Sequence, residues 1–224
     1  MSMLSNLDLI RRVPLFSMLS PAQAESLAGV VGKQRYKRGE TLVKQGETSH
    51  ALFIILAGRV RVLMADDKGR EVILAMMGQG DYIGDMSLID NQAHSATAVA
   101  EVQTDVLVLG RADFCRCLAD NVPMAMSVMR VLVKRLRSAN QKIESLALMD
   151  VYDRVADVLR QSAKLQPSGD HVILNKISRQ DIAKMVGASR EMVSRVMKDF
   201  VESGYVEVLS DGGMRISERR LLVR

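Results

Sequence analysis

The stretch that most constrains the fold is Ile177–Phe200, with the sequence ISRQDIAKMVGASREMVSRVMKDF. Ser178 can cap the first turn of a helix that contains Asp181. Gly187 lies in the middle, where a tight turn needs a backbone conformation that glycine adopts at little cost. The small and apolar positions of the two helices that would flank this turn are Ile182, Ala183, Val186, Ala188, Val193 and Val196. This pattern predicts a helix-turn-helix.

The second helix of this motif carries side chains suited to DNA. Arg190 and Glu191 lie in its first turn, and Arg195 follows four residues after Glu191 on the same face. An arginine fork suits the N7 and O6 acceptors of guanine, and a glutamate can accept from the amino group of cytosine. From Ser178 to Lys198 there are five basic and two acidic residues, a balance suited to phosphate contacts. We therefore predict that Arg190, Glu191 and Arg195 read bases.

The preceding part of the chain has the pattern of an antiparallel β-roll, or jelly roll, so that the fold class is α+β. Between Tyr36 and Leu109, short apolar and β-branched runs alternate with glycines. The runs are Ala51–Leu56, Arg59–Met64, Val72–Met76 and Ala98–Leu109. Before the roll, Ser20 and Gln23 flank a proline as in a capping box, which predicts a short helix.

After Pro123, apolar residues recur at intervals of four and three over three heptads. This spacing predicts a long helix with an apolar seam, which favours a two-helix coil in a homodimer over a helix that lies on its own domain. The predicted dimer interface consists of Met129, Leu132, Leu136, Ala139, Ile143 and Leu146. The predicted divisions are an N-terminal domain (1–122), a dimerisation helix (123–149) and a C-terminal domain (150–224).

Composition excludes several classes of protein. The chain has 224 residues, of which 48% are hydrophobic and 25% charged, with a net charge of +5. These values are typical of globular domains, and no apolar run approaches the ~18 residues of a membrane span. Cys115 and Cys117 suit buried free thiols in a reducing cytoplasm rather than a disulfide framework or a zinc site. The lack of a long apolar run and the free thiols predict a cytoplasmic protein. The chain has no P-loop, nucleophile elbow or metal triad, so we expect that it is not an enzyme and has no metal or obligatory cofactor.

Taken together, these motifs resemble the Crp/Fnr family of transcription regulators over nearly the whole chain. The resemblance includes Phe53–Gly58, the turn Gly80–Gly84 and the segment Leu148–Val151, besides the long helix and the helix-turn-helix. It implies a cyclic-nucleotide-binding roll, a dimerisation helix and a C-terminal winged helix-turn-helix. The implied function is sequence-specific binding of double-stranded DNA by a homodimer at a palindromic TGTGA-like site, with RNA polymerase as a partner.

The resemblance also implies roles for further residues of the C-terminal domain. Ser178, Arg179, Gln180 and Ser189 stand where family members hold DNA phosphates, and Asp211–Gly213 resembles the tip of the β wing. Such contacts position a recognition helix without reading sequence.

The effector pocket departs from the cyclic-AMP-binding members of the family. Those members use a Gly-Glu pair for ribose, an Arg-Ser pair for the cyclic phosphate and a Thr-Ser pair for adenine. Here the acid is a shorter aspartate, His94 replaces the arginine, and Ala139 begins the third pair. A histidine is mostly neutral at pH 7, whereas a guanidinium is always charged. The candidate effector-binding residues are Gly84, Asp85, His94, Ser95 and Asn140.

The sequence leaves the effector open. Cyclic di-GMP is favoured slightly over action without a ligand, and cyclic AMP is disfavoured. If His94 serves a phosphate, it must be protonated, and cyclic AMP affinity should strengthen toward pH 6; a solvated loop histidine is the alternative. Iron–sulfur sensing lacks the cysteines it needs, and no motif supports haem. The alternative function is a nucleotide-binding regulatory subunit that does not bind DNA.

Overall fold

The computed structural model describes residues 5–167, 170–174 and 177–217. The chain divides between Leu136 and Arg137 into two compact units. This division lies within the long helix α5, Val122–Leu148, so that the segment predicted as a separate dimerisation helix is shared between the units.

The first unit contains a β-roll with helices packed against one of its sheets. Its helices are α1 (Asn6–Ile10), a 3₁₀ turn (Pro14–Phe16), α2 (Pro21–Val30), α3 (Asp85–Asp90), α4 (Arg111–Asp120) and the first part of α5. Its strands are β1 (Gly32–Tyr36), β2 (Thr41–Val43), β3 (Ala51–Ala57), β4 (Val60–Ala65), β5 (Glu71–Met77), β6 (Tyr82–Ile83), β7 (Thr97–Ala100) and β8 (Thr104–Gly110). They form two antiparallel sheets, with the orders β1-β8-β3-β6 and β2-β7-β4-β5.

Strand β3 is buried on both faces, which explains its unbroken apolar sequence. Leu52 and Ile54 belong to the core that the helices cover, whereas Phe53 and Ile55 belong to the core between the two sheets. Successive side chains of a strand point to opposite faces, so one short segment contributes to both cores. Each fully buried side chain of this size stabilises the fold by about 1.5–3 kcal/mol.

The predicted run Ala98–Leu109 is not one strand, because β7 and β8 lie in different sheets. The chain crosses between the sheets at residues 101–103, where it approaches Gly58 closely. A Cβ atom on Gly58 would lie 2.7 Å from the Gln103 carbonyl oxygen, and its φ of +102° also requires glycine. The other three predicted runs correspond to β3, β4 and β5, and the ends of each agree within one residue.

Helix α2 confirms the predicted capping box. The Ser20 hydroxyl accepts a hydrogen bond from the Gln23 backbone N–H at 3.3 Å, and the Gln23 side-chain oxygen accepts one from the Ser20 N–H at 2.9 Å. Both bonds satisfy backbone donors that the helix itself leaves unpaired.

The second unit combines four helical segments with a small antiparallel sheet. It contains the end of α5, then α6 (Val151–Ser162), β9 (Lys164–Leu165), β10 (His171–Ile173), α7 (Arg179–Val186), α8 (Arg190–Glu202), β11 (Val206–Val208) and β12 (Met214–Ile216). The strand order is β11-β12-β10-β9. Phe200 lies at the centre of the core, edge-on to Tyr152 at 4.4 Å and to Tyr205 at 4.8 Å between ring centroids.

The described residues contain no helix that is both long and apolar enough to cross a bilayer. Within the same residues, no group of three or more His, Cys, Asp or Glu side chains is placed to hold a metal ion. Cys115 and Cys117 are free thiols, as expected, but the expectation of burial is wrong for Cys115, which is exposed on α4. Residues two apart on a helix do not share a face, so only one of the pair can point to the core.

Candidate functional site

The helix-turn-helix has the geometry that its sequence predicts. The Ser178 hydroxyl accepts from the Asp181 N–H at 3.0 Å and donates to the Asp181 carboxylate at 2.6 Å, which caps α7. Gly187 ends α7 with a φ of +64°, in the left-handed region. The predicted apolar positions Ile182, Ala183, Val186, Val193 and Val196 are buried in one core, and Ala188 packs against it.

Helix α8 presents the predicted base-reading side chains to solvent. Ser189 caps it by accepting from the Met192 N–H at 3.2 Å. Arg190, Glu191 and Arg195 are all exposed, while the opposite face of the helix is held in the core. Because the helix is fixed from behind, these three side chains are free to enter a DNA groove.

The charge of Glu191 is stabilised locally. Its pKa is lowered below the usual value by a hydrogen bond from its own backbone N–H, by one from the Ser189 hydroxyl, and by the nearby Arg190 and Arg195 charges. The carboxylate therefore stays ionised and acts only as an acceptor, as contact with a cytosine amino group requires.

The predicted phosphate contacts divide into two kinds. Arg179 and Gln180 are exposed in the first turn of α7, where backbone N–H groups also favour anions. Ser178 and Ser189 are exposed too, but their hydroxyls already cap α7 and α8. Their contact with DNA phosphates stays a prediction. The capping role by itself accounts for a serine at each of these positions.

The predicted wing is a hairpin between β11 and β12. Gly212 has a φ of +84°, and the Gly213 N–H donates to the Asp211 side chain at 2.8 Å. A Cβ atom on Gly213 would lie 2.8 Å from the Ile173 carbonyl oxygen, so the hairpin packs too closely on β10 for a larger residue.

In the first unit, the predicted effector residues Gly84, Asp85, His94 and Ser95 line one cavity. Its volume is about 430 Å³, including the solvent at its mouth. Gly84 has a φ of +96°, and a Cβ atom there would lie 2.6 Å from the Ala51 carbonyl oxygen. Four of the five residues predicted from the sequence therefore lie at the same cavity. The fifth, Asn140, is exposed on α5 beyond the division at Leu136, and its effector role stays a prediction.

Arg135 is the cavity residue that sequence reasoning missed. One of its terminal nitrogens donates to both oxygens of the buried Asp85 carboxylate, at 2.8 and 2.9 Å, and the other donates to the Tyr82 carbonyl oxygen at 2.7 Å. Its guanidinium also lies 5.2 Å from the centre of the Tyr82 ring. The cavity therefore has a permanent positive charge, but an aspartate already compensates it. The sequence carried no signal of this pair, because the two residues are 50 positions apart and the burial of Asp85 is visible only in the structure.

His94 is neither a solvated loop residue nor a free phosphate ligand. Its ring is buried, with Nε2 2.7 Å from the Ser49 hydroxyl and Nδ1 2.9 Å from the Ser87 hydroxyl. A neutral ring donates from one nitrogen and accepts at the other, so both bonds suit the uncharged form. Burial lowers the pKa of His94 below its ordinary value. The solvated-loop interpretation is wrong, and burial disfavours the protonated form that a phosphate contact would need.

The predicted dimer-interface residues differ in how far their own unit already covers them. Met129, Leu136, Ile143 and Leu146 have exposed fractions of 49%, 61%, 65% and 55%, and Ala139 is exposed as well. Leu132 instead is half-buried and packs against the helical core of the first unit. Large apolar side chains left in water along one helix are typical of an interaction surface.

A nucleotide-binding roll joined to a winged helix-turn-helix defines a class of regulators that bind DNA. Residues 33–121 match the cyclic nucleotide-binding domain family, and residues 153–224 match the Crp-like helix-turn-helix domain family. The chain is 32% identical over 209 residues to the cyclic AMP receptor protein of Thermus thermophilus, covering 93% of this chain and 94% of the relative. It therefore belongs to the Crp/Fnr family of transcription regulators.

Two further comparisons agree with this assignment. A CRP-like cAMP-activated global transcriptional regulator of Mycobacterium tuberculosis is 29% identical over 220 residues, covering 97% of this chain and 98% of the relative. The c-di-GMP responsive regulator CLP of Xanthomonas campestris has a similar fold, with a TM-score of 0.73 at 24% identity, covering 88% of this chain and 98% of that chain. These relatives are transcription regulators rather than enzymes, as the sequence predicts.

Proposed function

We propose that this regulator acts as a homodimer on a palindromic site whose half-sites resemble TGTGA. The observation that carries the proposal is the exposed face of α8, on which Arg190, Glu191 and Arg195 project from a helix that is capped at its start and packed behind. Two arginines and one ionised glutamate suit the two guanine–cytosine pairs that a TGTGA half-site contains. RNA polymerase is the proposed partner, because the similar regulators act on transcription.

Selection of binding sites from a randomised DNA pool tests this readout. We expect a palindrome in which the half-site centres are separated by about one helical turn, roughly 34 Å. Selection without any palindrome, or of half-sites that lack guanine–cytosine pairs at the positions facing α8, would contradict the proposal. Failure to retain any DNA would favour the alternative of a regulatory subunit, which leaves the exposed arginines unexplained.

Helix α5 is the proposed dimer interface. Leu136→Asp should give a monomer, because burying an unpaired carboxylate against the apolar surface of a second copy costs much free energy. Ser138→Asp places the same charge two residues away on an exposed part of the helix, and should leave the mass in light scattering unchanged. If the Leu136→Asp chain stays dimeric, the interface lies elsewhere.

For the effector, we propose a nucleotide bound in the cavity around Gly84, Asp85 and Arg135. This cavity is open to solvent and is lined by apolar side chains and a few polar ones, as small-ligand sites usually are. Cyclic di-GMP, which the sequence slightly favours, is the larger candidate because it has two nucleotide halves. Cyclic AMP is the smaller candidate, but it would find a histidine bound to two serines where family members have the arginine that holds its phosphate.

Calorimetry with cyclic AMP, cyclic GMP and cyclic di-GMP separates these cases. We expect weak binding of a cyclic mononucleotide and a further loss in Arg135→Met, since Arg135 is the cation that lines the cavity. Tight cyclic di-GMP binding that survives Arg135→Met would place that ligand at another surface. No binding of the three nucleotides would support action without a ligand.

A further inference from the structure

One stripe of α5 is apolar and exposed. Met126, Met129, Val133, Leu136 and Ile143 have exposed fractions between 41% and 65%. They follow one another at intervals of three, four, three and seven residues. Intervals of three and four are those of the a and d positions of a heptad repeat, so these residues, here called the α5 stripe, lie along one line of the helix.

Asn140 occupies the position that the interval of seven leaves open. It follows Leu136 by four residues and precedes Ile143 by three, and it is exposed. In this register Val133 and Asn140 take a positions, whereas Leu136 and Ile143 take d positions. A β-branched residue at a with leucine at d favours two parallel strands.

Charge pairs cannot set the alignment of two such helices. In a parallel pair, ion pairs form between the g positions of one helix and the e positions of the other. The e positions of α5 carry charge, at Arg130, Arg137 and Glu144. The g positions are all uncharged: Ala125, Leu132, Ala139 and Leu146. The apolar stripe alone would tolerate a shift by one heptad, because each a or d side chain would still meet an apolar partner.

We infer that Asn140 fixes the register of the homodimer by hydrogen bonding through its side-chain amide to Asn140 of the partner subunit. An amide carries both a donor and an acceptor, so it is complementary to its own copy across a two-fold axis. A shifted pair would bury each amide against an apolar side chain and leave it unpaired, which costs free energy. The inference rests on the proposed homodimer and makes Asn140 a residue that specifies pairing.

A spin label on the exposed residue Ser138 measures the register directly. With Ser138→Cys as the labelling site and Cys115→Ser and Cys117→Ser to remove the other thiols, pulsed electron resonance gives the distance between the two labels. A shift by one heptad displaces the helices by about 10.5 Å along their axis. We expect one distance in this parent chain, and added longer distances, or assemblies larger than a dimer in sedimentation, in Asn140→Leu.

Gln141→Leu is the matched control, because it removes the same amide group from the next residue, which is exposed but off the stripe. It should keep one distance and the mass of a dimer. If Asn140→Leu also keeps both, Asn140 does not fix the register; if it does so while losing nucleotide affinity in calorimetry, Asn140 serves the effector instead. A parent chain that is monomeric in sedimentation would overturn the proposed homodimer itself, and the register role with it.

Discussion

The recognition helix and the effector cavity use their polar residues in opposite ways. On α8, Arg190, Glu191 and Arg195 are exposed, and we propose that they contact DNA, although Glu191 also accepts hydrogen bonds within its own turn. In the cavity, Asp85 and His94 are buried and already have protein partners. An exposed polar side chain keeps the role that its chemistry suggests, whereas a buried one must satisfy its hydrogen bonds within the fold first. For this reason we carry the roles implied by the family resemblance over to α8 more directly than to the cavity.

The cavity should respond to mutation chiefly through stability. Arg135→Met removes the cation that pairs with the Asp85 carboxylate, which is 2% exposed. Breaking one side of such a pair leaves an uncompensated charge, and because Arg135 is itself a third exposed, we expect a loss of about 3 kcal/mol in the free energy of unfolding. Arg137→Met, on an exposed neighbouring position, should change it by less than about 0.5 kcal/mol in denaturant titrations. Equal effects of the two changes would mean that the ion pair is not needed.

The recognition helix should respond through specificity instead. Arg195→Ala should cost about 1–3 kcal/mol of discrimination at an inner guanine–cytosine pair and leave the unfolding curve nearly unchanged. Lys198→Ala, an exposed basic residue of the same helix, should weaken binding to all sequences alike and reduce its salt dependence. Competition binding with single-base variants of the site measures both. Identical discrimination in the Arg195→Ala chain would remove it from the base-reading set.

The turn between α7 and α8 depends on backbone geometry rather than on a side chain. Gly187→Ala forces a residue with a Cβ atom to a φ of +64°, at a cost of about 1–2 kcal/mol. Gly29→Ala is the control with the opposite expected sign, because Gly29 lies in α2 with open space around it. This substitution should raise the free energy of unfolding by about 0.4–1 kcal/mol. Thermal unfolding should therefore move in opposite directions. Stabilisation by both changes would mean that the turn can adopt another conformation.

The smallest expected effect is a pH dependence at His94. Its pKa is lowered by burial, so near that pKa the unfolded chain binds more protons than the folded chain. The stabilisation is fully present above the ordinary value of about 6.5 and declines as the pH falls below it toward the folded-state pKa. His94→Gln should flatten this part of the stability profile. An unchanged decline would assign the protons to other groups.

The same burial changes what is expected of the nucleotide. Because burial lowers the pKa of His94, less of the ring is protonated at pH 6 than in an ordinary histidine, so cyclic AMP affinity should strengthen less between pH 8 and pH 6 than the sequence suggests. His94→Arg would have to break the bonds to Ser49 and Ser87 before its guanidinium could reach a phosphate. Calorimetry at both pH values decides this; affinity that rises toward pH 6 and is lost in His94→Gln would restore the phosphate role.

The features that could be predicted from the sequence alone arise from interactions between residues close together in the chain. The caps at Ser20 and Ser178, and the turn at Gly187, depend on residues within four positions of one another, and all three were predicted. The cap at Ser189 is equally local but was not predicted. The exposed face of α8 followed from the same spacing, because a helix fixes which residues share a side. The family resemblance then assigned functions to that face.

The tertiary structure decided which distant residues became partners. Arg135 lies 50 residues from Asp85, and His94 lies 45 residues from Ser49, so no spacing rule connects them. The exposed stripe of α5 likewise differs from the predicted one at one position. Leu132 packs against the core of the first unit, and Val133 is exposed in its place. Helical periodicity defines a stripe, but which neighbouring stripe is buried depends on the surface against which the helix packs.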